Sequence, residues 1–185
     1  NKKGNNTDAT NDLTVVVDGK EVLAPVTFVA KIGEIGYTTL QEAIDSAQVG
    51  ATVKLVKDLE LDETVTVGAG KEITLDLAGY TITAKDNTSK NYSAIDVNQG
   101  NLTITGNGTI TVEATINSGW GRYSAVVANN QGTLTIESGT FKPLGGTDMA
   151  YAIDTLTNGG IGDATTTING GTFETPYRAF RQFAN

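Results

Sequence analysis

Between residues 37 and 50 the apolar positions Leu40, Ala43, Ile44 and Ala47 recur at i, i+3, i+4 and i+7, one face of a helix. Thr39 and Glu42 have the spacing of a capping box, and Gly50 suits the position just past a C-terminus. A single helix near 39–48 is therefore predicted. Upstream, residues 1–11 are polar throughout and read as an arm or linker. The run Leu13–Val17 reads as a strand, Asp18-Gly19 as a hairpin turn and 21–23 as the return strand. A further β-like run covers 26–30, so 12–36 forms N-terminal strands or a cap.

After Gly50 the pattern switches to short runs of period two, at 53–56, 64–67 and 73–77. From there the chain repeats. An element of strand, glycine turn and strand recurs at 73–82, 102–110, 134–141 and 166–173. Its glycines align as Gly79, Gly108, Gly139 and Gly171, a period of roughly 30 residues and the mark of a solenoid. A second element recurs between these copies, at 93–97, 124–128 and 151–155, with 177–181 as a fourth. Three short strands per coil, stacked, make a parallel β-helix. Alternation puts Ile104, Ile110, Ile136, Phe141, Ile168 and Phe173 inside and much of the threonine outside. The fold class is thus all-β, a parallel β-helix over 37–185 with one N-terminal capping helix. A β-sandwich would also place turns every 8–12 residues but does not require the 30-residue register.

The run Tyr37-Thr38-Thr39-Leu40-Gln41-Glu42-Ala43-Ile44, then Gly50-Ala51-Thr52-Val53-Lys54-Leu55 and Asp58, resembles the opening cap of pectate-lyase-like right-handed β-helix proteins. So do 73–82 and the turns Ser138-Gly139-Thr140-Phe141 and Gly170-Gly171-Thr172-Phe173. The resemblance covers 28–185 and implies a right-handed solenoid. It also implies a bacterial surface, secreted or phage-borne setting. It is weak for activity, because such solenoids serve lyases, hydrolases, adhesins and phage fibres alike.

Composition narrows the chemistry. The chain has 185 residues with 22 Gly, one Trp and 6% aromatics, and Thr supplies about one residue in six. It contains no Cys and no His, which removes disulfides, Cys nucleophiles, His general bases and the usual zinc ligands. A net charge of -8 without a basic cluster argues against nucleic-acid binding. No apolar run is long enough to insert in a membrane.

Candidate carboxylates are Asp76, Asp96 and Asp154. Asp96 and Asp154 are placed outward on one ladder, with Val127 between them and Arg181 beyond. Two coils separate them, about 9.6 Å, at the edge of the roughly 6.5–9.5 Å of an inverting glycosidase. They are the weak catalytic candidates, with a solvated outer face as the plainer reading. Enzymes of the resembling fold use carboxylate clusters, calcium with a basic residue, or His with Asp, and no full set is present here. No cofactor is expected. Calcium is the alternative, in the turns holding Asp58, Asp62 and Glu63 or Asp86, although such residues commonly bond their own backbone.

The loop 117–123 holds the only Trp, with Trp120, Arg122 and Tyr123 in a form a sugar ring or partner surface could use. Asp148 and Tyr151, one coil on, fall beside it. At the far end Tyr177, Phe180 and Phe183 make an aromatic run without a polar closing coil, which points to chain continuation or to self-association through that end. The resulting expectation is a non-catalytic extracellular module acting as adhesin or scaffold, with polysaccharide or another protein as partner. The alternatives are a structural subunit of a phage particle or filament, and a polysaccharide lyase or hydrolase.

Overall fold

The computed structural model describes residues 13–17, 20–24, 27–85, 92–114, 124–145, 150–157, 164–176 and 178–184, and for 13–24, 114, 145, 157, 183 and 184 the backbone alone. Helix α1, Leu40–Ser46, starts where the sequence places it. Thr39 accepts from the Glu42 backbone N–H at 3.1 Å, and the Glu42 carboxylate accepts from the Thr39 N–H at 3.2 Å, closing the capping box. Its face of Leu40, Ala43 and Ile44 is buried. The leading hairpin also forms, with Leu13–Val17 antiparallel to Lys20–Ala24. Residues 27–29 are not strand. The next strand is Ala30–Ile32, which turns through Gly33 into Ile35–Tyr37.

Beyond the helix the chain is a β-solenoid. One sheet stacks Ala51–Leu55, Glu72–Asp76, Asn101–Thr105, Thr133–Ile136 and Thr165–Ile168 in parallel. A second stacks Leu59–Leu61, Thr81–Lys85, Thr109–Ala114, Thr140–Gly145 and Thr172–Phe173. A third stacks Val65–Val67, Tyr92–Asn98, Ser124–Asn130, Ala150–Thr157 and Arg178–Ala184. Leu102 lies beside Ile73 below and Leu134 above, a coil of roughly 30 residues. Ala30–Ile32 pairs antiparallel with Ala51–Leu55, so residues 30–37 extend the first sheet, with Ile35–Tyr37 as its outermost strand. Among the described residues no helix is long and apolar enough to cross a membrane.

The core is a set of columns, one side chain per coil. Leu75, Ile104 and Ile136 stack in the first sheet and Ile82, Ile110 and Phe141 in the second, all buried. The expected interior therefore holds for Ile104, Ile110, Ile136 and Phe141. It does not hold at the last described rung, where Ile168 is 41% exposed and Phe173 only half-buried, because among the described residues no strand pairs beyond them. Thr74, Thr103 and Thr135 line the outer face as expected, whereas Thr111 and Thr155 are buried.

The glycine alignment is corrected at one place. Thr81 pairs with Thr109, so Tyr80 lies beside Gly108 and Gly79 falls one position earlier. A Cβ at Gly108 would sit 2.2 Å from the Tyr80 carbonyl oxygen, so the close stacking of coils at this corner requires glycine.

Candidate functional site

The third sheet carries both candidate carboxylates. Its strands do not follow strict alternation. Ala94 and Ile95, Val126 and Val127, and Ala152 and Ile153 are sequence neighbours, yet all six belong to the core cluster. The switch lets residues three apart, rather than two, share the opposite face. Tyr151 and Asp154 accordingly meet the same guanidinium, that of Arg181 in the next rung. Arg181 donates through Nε to Asp154 Oδ1 at 2.7 Å and through Nη2 to Oδ2 at 2.5 Å. Its guanidinium carbon lies 4.8 Å from the centre of the Tyr151 ring.

This arrangement corrects three expectations. Ala128, not Val127, stands between Asp96 and Asp154, because the register runs Asp96, Ala128, Asp154, Arg181 while Val127 lies in the core column with Ile95 and Ile153. The face is not solvated at Asp154, whose side chain is 0% exposed and held by a forked ion pair. Tyr151 is buried in a strand against a cation rather than offered on a loop to a sugar.

Asp96 has a different environment. Its register neighbours are Thr66 and Ala128, and its Oδ1 is buried without a hydrogen-bond partner. Desolvation raises its pKa from 3.8 to about 6. The folded chain thus takes up this proton at a higher pH than the unfolded chain does. Stability from the neutral form is complete below about 3.8 and is lost as pH rises through about 6. The full shift would be worth about 3 kcal/mol, and partial solvent access reduces it. Asp96→Asn is therefore expected to stabilise the protein by about 1–2 kcal/mol at pH 7, with the gain gone near pH 3.5. Urea unfolding of both proteins across that range checks it, and a gain that does not vary with pH would contradict the assignment.

The remaining predicted residues fall as follows. Trp120, Arg122, Tyr123, Asp148, Tyr177 and Asp86 lie outside the described residues, as does the side chain of Phe183. Phe180 is 50% exposed. Asp76 Oδ1 accepts from the Ala78 N–H at 2.9 Å, and Asp58 Oδ1 accepts from the Thr81 N–H at 2.7 Å across to the next coil. Both therefore bond backbone. Among the described residues no three acidic groups converge closely enough to hold a metal ion.

The last rung is the other site-like feature. Phe173 stacks on Phe141 with ring centres 5.2 Å apart, and Phe180 meets Phe173 edge-on at 4.8 Å. These contacts carry the core column to the end of the stack, where Phe180 and Ile168 face out. The sequence pattern puts Phe180 at this end and Ile168 inside, whereas both are exposed. Compared with known protein families, curated proteins and solved structures, the chain shows no match.

Proposed function

We propose that this chain is a non-catalytic scaffold module that stacks end to end through its last rung. One observation carries the reading. Ile168 and Phe180 are 41% and 50% exposed, while the residues one coil below them in the same columns, Ile136 and Ile153, are at most 1% exposed. Such exposed apolar positions, beside the outer edge of a parallel rung, form a surface that another rung would bury. The opposite end is closed by α1 and the 30–37 hairpin, so two copies would meet through their last rungs. The pectate-lyase-like resemblance supports a secreted or surface setting, on a bacterium or a virion, with adhesion to a glycan or protein as the companion role. Light scattering after size exclusion tests it. The wild-type chain is expected to gain mass with concentration and Phe180→Asp to remain monomeric. A wild-type monomer at every concentration would sink the reading.

A second reading, cleavage of a polysaccharide, draws on Asp96, whose pKa near 6 suits a general acid. The commitment of Asp154 to Arg181 weighs against it, since the partner carboxylate is neither open to water nor free of its ion pair. Release of reducing ends that disappears in Asp96→Ala would favour this reading over the first.

A further inference from the structure

At the closed end, the start of α1 and the corner of the first coil enclose a cavity of about 310 Å³. That volume suits a single side chain or a small ligand. Its floor is apolar, with Leu40, Leu59 and Val65 buried. Its rim carries Glu60, Asp62 and Glu63, all exposed. No Lys, Arg or aromatic residue lines it.

The neutral polar side chains on the lining are already engaged. Thr39 caps the helix, and Thr38 donates to Glu42 Oε2 at 2.9 Å. Gln41 donates to Asp45 and to the Thr66 carbonyl, and accepts from the Thr66 N–H. Thr64 donates to the Ser93 carbonyl at 2.7 Å. The three rim carboxylates, by contrast, have no ion pair among the described residues. The groups left to meet a ligand are therefore an apolar floor and an anionic rim. Their complement is a flexible alkyl stem ending in a compact cation with several donors. A guanidinium would gain most from a flat aromatic surface to stack on, which the lining lacks.

We propose that this cavity seats a lysine side chain of a partner protein, its methylene stem against Val29 and Leu61, the apolar lining residues that are partly exposed, and its ammonium at the carboxylate rim. Exposed ion pairs are individually weak, so the surrounding surface of the partner must supply most of the affinity. A minimal probe should accordingly bind with a Kd on the order of millimolar.

The test uses the isotope-labelled chain and follows the backbone amide signals of 59–65 by NMR. Nα-acetyl-lysine-N-methylamide is the probe, and the norleucine analogue, which lacks the ammonium, is the control. The lysine probe is expected to shift these signals saturably, and the control is not. The triple variant Glu60→Gln, Asp62→Asn, Glu63→Gln alters exposed positions and should keep its Tm while binding the lysine probe at least tenfold more weakly. Absence of saturable shifts, or equal shifts in the triple variant, would overturn the proposal. Saturation by cadaverine without saturation by the lysine probe would overturn the protein source of the ammonium. None of these outcomes depends on whether the last rung self-associates.

Discussion

Phe141→Ala is expected to cost about 3–5 kcal/mol. Phe141 is wholly buried in the second-sheet column, in register with Ile110 below and Phe173 above. Removing its ring leaves a cavity between rungs that are fixed by backbone hydrogen bonds and so collapse little. It also removes the 5.2 Å stack with Phe173, through which the last rung is tied to the core. The loss should therefore be regional. Hydrogen exchange is expected to accelerate most in Thr172–Phe173 and Arg178–Ala184 and least in the coils beside α1, as neighbour-only contacts in a solenoid require. A uniform acceleration along the chain would contradict this account of the stack.

Arg181→Ala is expected to cost a similar amount, about 3–5 kcal/mol, for a different reason. The cost comes less from the lost attraction than from the Asp154 carboxylate left buried without its cation. The loss of the guanidinium over Tyr151 adds a smaller term. The double variant Arg181→Met, Asp154→Leu should recover most of the stability, because it removes the charge that needed compensation. Denaturant unfolding of the two variants separates the possibilities. A double variant as unstable as Arg181→Ala would show that packing of the arginine stem, not the buried charge, sets the cost.

These two residues mark what could be read in the sequence and what could not. The column holding Phe141 is legible because Ile82, Ile110, Phe141 and Phe173 recur about every 30 residues, each directly after a threonine. The helix was legible from its capping box, a signal contained in four residues. Asp154 lies opposite the core residue Ile153, as alternation places it, but alternation does not report that this stretch of the face is buried, with Asp154 paired to Arg181. Val127 takes Ala128's place when the repeat copies are aligned on Ser93 and Ser124, whereas the ladder pairs Ser93 with Ala125. Gly79 was misaligned because turns of the same residue types differ by one place between coils, and only pairing with Thr109 fixes the register. The sequence groups Tyr151 with the loop before it because its cation, Arg181, comes from a residue remote in sequence. The cavity beside α1 was invisible for a related reason. Its floor joins Leu40 to Leu59 and Val65 across a helix and a corner that no local pattern connects.

The shared lesson is physical. In a solenoid each inward position is decided by the rung above and below, so a repeating sequence reports the interior well. The outer face and the two ends depend on what covers them, and the repeat carries no information about that. Ile168 illustrates this, since it pairs with Ile136 in the same column yet, with no strand beyond it among the described residues, is 41% exposed.

The central claim, that the last rung is a stacking surface, is tested most directly by amide hydrogen exchange measured as a function of protein concentration. Protection of amides in Thr165–Ile168 and Arg178–Ala184 is expected to rise with concentration, while that of Thr133–Ile136, already covered on both sides, stays constant. Exchange in the last rung that is the same at every concentration would contradict end-to-end stacking.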